Sequence, residues 1–287
     1  MGTTMEILKL EGLCKRYPAF TLDHVSFSMQ PGTIMGFIGR NGAGKTTTLK
    51  CMLHLAHPDE GKITVCGLDM DAHERKIRTR IGFVSGGISY YQRKRLGALT
   101  AVTKQFYPEW DDARYRRLLS LFALDENKRV CELSEGMKVK YQLAAAMSHR
   151  AELLILDEPT SGLDPVSRDE LLAVFTELCE QEGVAILFST HITSDLDACA
   201  DTVTYIQHGR IALSEERRAL TGAYVMLRGN DADCSAALRE KLIGARSRKG
   251  ELEALLRRAD APLAAGFQTE AANLEQIMVH LEREATV

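Results

Sequence analysis

Gly39-Arg40-Asn41-Gly42-Ala43-Gly44-Lys45-Thr46, continued by Thr47 and Thr48, is the stretch from which the rest of the chain is read. Two glycines with four residues between them, then Lys and Thr, fit a phosphate-binding loop without a mismatch. Glycines let the backbone turn its N–H groups inward as an anion nest, with no Cβ in the way. Lys45 is placed to reach the β- and γ-phosphates of a nucleotide, and the Thr46 hydroxyl to hold Mg²⁺. The flanks agree. Thr33 to Ile38 reads as a buried strand and Thr46 to Leu53 as a helix, which sets the phosphates at a helix N-terminus where anions are favoured.

The 287 residues suffice for one large domain and one small one. The composition is that of an ordinary globular protein, with a net charge of −3, so nucleic acid is not expected as the main partner. Seven cysteines are scattered along the chain and never form Cys-x-x-Cys, a pattern of reduced thiols with neither disulfides nor zinc. No apolar run approaches the roughly 20 residues that cross a bilayer. Met1 to Glu6 lacks the basic and apolar regions of a signal peptide. The chain is therefore expected in the cytoplasm, meeting a membrane only through a partner.

Working outward, Glu6–Leu13 and Thr21–Met29 read as strands joined by a loop, Lys15-Arg16-Tyr17-Pro18. Tyr17 on that loop offers its ring face to adenine, although loop tyrosines are commonly without such a role. Gly61–Val65 and Ile81–Val84 read as further strands, with a charged helix at Ala72–Thr79. From Tyr90 to about Met147 the pattern turns helical, with breaks at Pro108 and near Asp125, as for a helical subdomain inserted over about residues 88–150. Strand logic returns at Leu153-Leu154-Ile155-Leu156, an unbroken apolar run suited to a central parallel strand. Arg168–Gln181 (helix), Val184–Phe188 (strand) and Ile192–Cys199 (helix) continue an α/β alternation that ends near Ser214. Residues 215–287 differ: a strand at Tyr224–Leu227, a helix at Ser235–Ile243, and a final amphipathic helix through Leu274, Ile277, Met278 and Leu281, capped by Asn273.

Asp157 closes a buried strand at its carboxyl end, where its carboxylate can face Mg²⁺ opposite Thr46. Glu158 follows, and strand alternation points it to the other side of the strand end. There it can orient a water and accept its proton during in-line attack on a γ-phosphate. His191, after the next buried strand, is placed to sense the same phosphate. Leu133-Ser134-Glu135-Gly136-Met137 starts a helix that Ser134 caps.

Taken in order, the phosphate loop, Leu133-Ser134-Glu135-Gly136-Met137, Leu156-Asp157-Glu158-Pro159, Ser161-Gly162-Leu163-Asp164 and His191 resemble the ATP-binding subunits of bacterial ABC transporters over residues 5–214. Phe106-Tyr107-Pro108-Glu109-Trp110-Asp111, Ser189–Asp195 and Leu274–Val279 are similar to the YtrB-like, ABC-2-type group. The resemblance implies a P-loop NTPase of ABC type in residues 1–214. Its mixed sheet core would carry N-terminal antiparallel strands and the helical insert, followed by a small C-terminal α+β module in 215–287. It implies ATP and Mg²⁺ bound by Tyr17, Gly39, Arg40, Asn41, Gly42, Ala43, Gly44, Lys45, Thr46 and Thr47, with Ser134, Gly136 and Asp164 reaching across a head-to-tail dimer. Glu158 becomes the catalytic base, His191 the switch histidine, Tyr17 the adenine platform, and Thr46 with Asp157 the metal ligands.

Two departures stand out. Where the family carries a Gln after the strand ending at Val84, this chain has Ser85-Gly86-Gly87, and the nearest Gln is Gln92. Glu135 also stands where Gly is commoner, putting a carboxylate near the sandwiched phosphates and weakening dimer closure unless it points away. The expected partners are a membrane permease and a second ATPase subunit, identical or paralogous. The rival readings are a soluble ABC-type ATPase acting on DNA or ribosomes, and a nucleotide-gated regulator whose C-terminal module binds another protein. The basic clusters Arg75, Lys76, Arg78, Arg80 and Arg93-Lys94-Arg95 read most simply as solvated faces.

Overall fold

The first strands of the chain, β1 (Leu8–Tyr17) and β2 (Phe20–Met29), pair antiparallel across a tight turn at Pro18-Ala19. The computed structural model describes residues 6–85 and 91–284. β1 runs through Tyr17, so that side chain stands at a strand end and not on a loop. Strict alternation along β2 places Leu22 with the polar residues, yet Leu22, Val25, Phe27 and Met29 are all buried. The register explains this. Leu13 faces Val25 and Lys15 faces Leu22, so β2 carries one extra residue, and His24 takes it up at φ +50. Such a bulge moves every residue beyond it to the opposite face.

After β3 (Ile34–Ile38) come α1 (Lys45–Met52), β4 (Glu60–Val65), β5 (Leu68–Asp69), α2 (Met70–Arg78) and β6 (Ile81–Ser85). The chain then leaves the strands for α3 (Leu96–Thr103), α4 (Asp112–Leu121) and α5 (Glu135–Ser148), and returns as β7 (Leu153–Asp157). It continues through α6 (Pro165–Glu182), β8 (Ala185–Thr190), α7 (Thr193–Cys199), β9 (Thr202–Gln207) and β10 (Arg210–Glu216). One sheet has the order β2-β1-β4-β5 and a second the order β10-β9-β3-β8-β7-β6. In the second, β3, β6, β7, β8 and β9 run parallel, and the residues of β3 and β8 are buried throughout, as both-face burial demands. α6 shows why its ends fall where they do. Asp164 caps its start ahead of Pro165, and Gly183 closes it at φ +67.

The turn between β9 and β10 has both residues left-handed, His208 at φ +48 and Gly209 at φ +78. The Gly209 carbonyl accepts from the Asp23 N–H at 2.8 Å, and its own N–H donates to the Ala43 carbonyl at 3.0 Å. A Cβ here would fall on the Thr21 carbonyl oxygen. Gly209→Ala is accordingly expected to cost about 1–3 kcal/mol. It should read as a lower urea midpoint at unchanged slope; an unchanged midpoint refutes the strain.

The contacts divide the chain into two units, Met1–Ser214 and Glu215–Val287. The second contains α8 (Arg217–Ala223), β11 (Tyr224–Asn230), α9 (Ala236–Arg239), β12 (Ile243–Arg248), β13 (Glu251–Arg257), β14 (Gln268–Ala271) and α10 (Leu274–Glu284). Its sheet runs β12-β13-β11-β14. Asn273 and Gln276 form a reciprocal cap on α10, side chain to backbone N–H in both directions at 2.8 and 3.0 Å. The helix expected at Ser235–Ile243 is a single turn instead. Leu238 and Leu242 enter the core at helical spacing, but Ile243 pairs with Leu255 and opens β12. Gly244, at φ +54, is then anchored to Glu284 and His280 of α10.

Candidate functional site

Three neighbouring parallel strands of the six-stranded sheet stop at one level. Ile38 lies opposite Thr190 and Asp157 opposite Ser189, so the residues after β3, β8 and β7 emerge side by side. Open α/β sheets bind their ligands at such carboxyl ends.

The loop after β3 is built to receive an anion. Gly44 sits at φ +117, a conformation for glycine, and a Cβ there would lie 2.9 Å from Phe20 Cζ and 2.8 Å from Leu22 Cδ2. Gly44 takes the cap position of α1 and no side chain bonds there, which leaves first-turn N–H groups facing outward for phosphate oxygens. Gly39 is buried, whereas Arg40, Asn41, Gly42 and Thr46 are exposed; Ala43 is buried and Thr47 half-buried. Lys45 is 6% exposed, and its Nζ donates to the Gly39 carbonyl at 2.6 Å.

The carboxylates close on this loop. The Thr46 hydroxyl donates to Asp157 Oδ2 at 3.1 Å, so hydroxyl and carboxylate form a hard-oxygen pair of the kind Mg²⁺ takes. Asp157 Oδ1 accepts from the Ser189 hydroxyl at 2.7 Å, and Ser189 Oγ accepts in turn from the Glu158 N–H at 2.9 Å. Glu158 does not continue the strand alternation. It stands at φ +50, a left-handed turn that brings its carboxylate back onto the same loop. Its Oε1 lies 3.3 Å from Lys45 Nζ and its Oε2 2.8 Å from His191 Nδ1. A carboxylate acceptor there places the hydrogen on Nδ1 and leaves Nε2 on the open side. Lys45, Thr46, Asp157, Glu158 and His191 thus form one connected set, with Ser189 as its unforeseen hub.

Ser134, Gly136 and Asp164 are elsewhere. Ser134 is exposed and caps α5 by accepting from the Met137 N–H at 3.2 Å. The Gly136 Cβ position lies 3.7 Å from Leu163 and 3.8 Å from Ser167, so the α5 tip packs beside the start of α6. Asp164 is held below the usual carboxylate range by its hydrogen bonds from Ser167, side chain and backbone, and from the Val166 N–H. Its cap therefore persists at ordinary pH and is lost only as pH falls through that lowered value. The hydrogen bonds of Ser134 and Asp164 run to the first turns of their own helices. Glu135 bends along its own helix to Lys138 Nζ at 2.6 Å, which draws its charge off the helix tip. Tyr17 is 44% exposed, with Lys15 Nζ 5.7 Å from its ring centre.

Gly86 and Gly87 lie outside the described residues. At the strand end before them, Ser85 is clamped by Gln142 of α5, which accepts from the Ser85 N–H at 3.3 Å and donates to its carbonyl at 3.0 Å. Nothing in the sequence marked Gln142, an ordinary helix residue. The first basic cluster is partly neutralised, Arg78 by Glu74 and Arg80 by Glu152.

The chain is similar to known proteins. A family model described as ABC transporter fits residues 22–161. The bacitracin transport ATP-binding protein BcrA of Bacillus licheniformis is 32% identical over 71% of this chain and 68% of its own. The ABC transporter ATP-binding protein YtrB of Bacillus subtilis is 27% identical over 77% and 76%, in line with the YtrB-like motifs. A solved structure of an ATP-binding subunit of an ABC transporter is 28% identical, with a TM-score of 0.66 over 75% of this chain and 93% of that one. The chain belongs to the ABC transporter ATP-binding proteins, a family of ATPases.

Proposed function

We propose that this chain hydrolyses ATP to power an ABC transporter through a separate membrane permease, working as a head-to-tail pair of ATPase subunits with ATP sandwiched between them. The observation that carries the reading is the division of the site. Lys45, Thr46, Asp157, Glu158 and His191 form one connected group suited to phosphate, metal and proton transfer, while Ser134 and Asp164 stand exposed and bond to their own helices. A triphosphate on the loop leaves its γ-phosphate open on one side, and a helix N-terminus from a second subunit is suited to cover it.

In this reading the loop N–H groups and Lys45 take the β- and γ-phosphates, and Tyr17 stacks on adenine. Thr46 and Asp157 would hold Mg²⁺, which would neutralise charge on the phosphate oxygens. Arrival of the phosphates draws Lys45 away from Glu158. The freed carboxylate orients a water and takes its proton, while His191, fixed through Nδ1, presents Nε2 to the γ-phosphate. Gly39, Arg40, Asn41, Gly42, Ala43, Gly44 and Thr47 shape the nest. Among the described residues no helix is long and apolar enough to cross a membrane. In this reading the chain works at the cytoplasmic face of the membrane, held there by its permease.

Two measurements test this. Turnover per subunit is expected to fall steeply on dilution below the dimerisation range; a constant rate where only monomers exist overturns the sandwich. The tagged protein is also expected to pellet with membranes alongside a multi-helix partner, both released by detergent. Recovery as a soluble protein that shifts duplex DNA at physiological salt overturns the transport role.

A further inference from the structure

Asp195 lies in the first turn of α7, with its side chain 1% exposed, and it touches none of the groups assigned above to phosphate or metal. A buried carboxylate is unfavourable unless its oxygens are well partnered, so its bonds show what it is there to hold. Oδ2 accepts from the Thr160 hydroxyl at 2.7 Å and from the Thr190 hydroxyl at 3.3 Å. Both threonines are fully buried. Oδ1 faces Arg168 Nε at 3.8 Å, a countercharge without a hydrogen bond.

The positions of the two threonines matter. Thr160 stands two residues beyond Glu158, and Thr190 immediately precedes His191. Thr190 Oγ1 also accepts from the Ile192 N–H at 3.0 Å, so that one hydroxyl binds the chain on the far side of His191 as well. A single carboxylate oxygen therefore ties together the two loops whose side chains meet in the 2.8 Å Glu158–His191 hydrogen bond. Water is excluded from the knot, which makes each bond stiffer and its loss more costly.

We infer that Asp195 is a positioning residue for hydrolysis: through Thr160 and Thr190 it holds the Glu158 and His191 loops in one fixed relation. The inference rests on the reading of those two residues as the hydrolytic pair. Misplacement by a fraction of an ångström at the reacting groups is felt in turnover before it is felt in substrate binding.

The test uses the full-length chain. Thr160→Val keeps the side chain's volume and removes one donor to Asp195. It is expected to lower kcat on the order of tenfold, with ATP affinity in an equilibrium binding assay unchanged and Thr160→Ser restoring the rate. In a Glu158→Gln background the same Thr160→Val change is expected to have no further effect on residual turnover, because the bond it positions is already gone. Wild-type kcat in Thr160→Val overturns the inference. So does a parallel fall in ATP affinity, or an undiminished loss in the Glu158→Gln background, since either marks a role in folding alone. The two readings separate cleanly. An active Glu158→Gln removes the reading of the base and this inference with it, whereas an inactive Glu158→Gln beside a fully active Thr160→Val removes only the inference.

Discussion

Glu158→Gln is expected to bind ATP at wild-type strength and to turn it over about 10²–10⁴-fold more slowly, the usual worth of a positioned general base. Gln matches the side chain in size and retains an oxygen toward Lys45, so the loop keeps its shape. What disappears is the group able to accept a proton from water. With hydrolysis slowed, the ATP-bound dimer should also live longer. Single-turnover kinetics with size-exclusion chromatography in ATP reads both effects. Turnover at the wild-type rate ends the assignment of Glu158 as base.

Lys45→Ala is expected to act at the preceding step and to abolish ATP binding at ordinary nucleotide concentrations. Lys45 is buried and already satisfied by the Gly39 carbonyl and Glu158, so its ammonium is held in place before any ligand arrives. Hydrogen bonds to charged groups contribute about 1.5–3 kcal/mol each. Losing two phosphate contacts corresponds to roughly 10²–10⁴ in affinity. Equilibrium binding of a fluorescent ATP analogue measures it, and a melting curve on the same sample separates lost binding from lost fold. An affinity within about threefold of wild type contradicts the role.

The parts of this site legible in the sequence are those whose chemistry is local. The phosphate loop requires its glycines, lysine and threonine at fixed spacing within eight residues, and an apolar run followed by Asp157 announces a strand end. The connections between loops were not legible. Ser189 joins Asp157 to Glu158 because β7 and β8 lie in register, and Asp195 reaches Thr160 across 35 residues of sequence. Pairing of that kind is a property of the folded sheet. The direction of Glu158 was misjudged for a related reason: alternation holds only while the backbone remains extended, and φ +50 ends it. The hairpin β9–β10 did leave a signal, Thr202-Val203-Thr204-Tyr205-Ile206 ahead of His208-Gly209, an apolar and β-branched run before a turn. The ordinary look of Ser235–Ile243 misled in the opposite sense, since two leucines four apart suit a helix as readily as a helical turn leading into a strand.

The excursion α3–α5 departs from one strand and rejoins the sheet on its immediate neighbour, β6 to β7. Because the two strands are parallel, it leaves the sheet at the Ser85 end and re-enters at the Leu153 end, so its stems stand a strand's length apart, about 13 Å. No short turn can join parallel strands; a crossover of roughly a dozen residues or more has to carry the chain back across the sheet. The helices that form the outward surface are therefore also the bridge that returns the chain for β7, and α5 grips the strand end at Ser85, so that surface can be redrawn only by something that still makes the crossing.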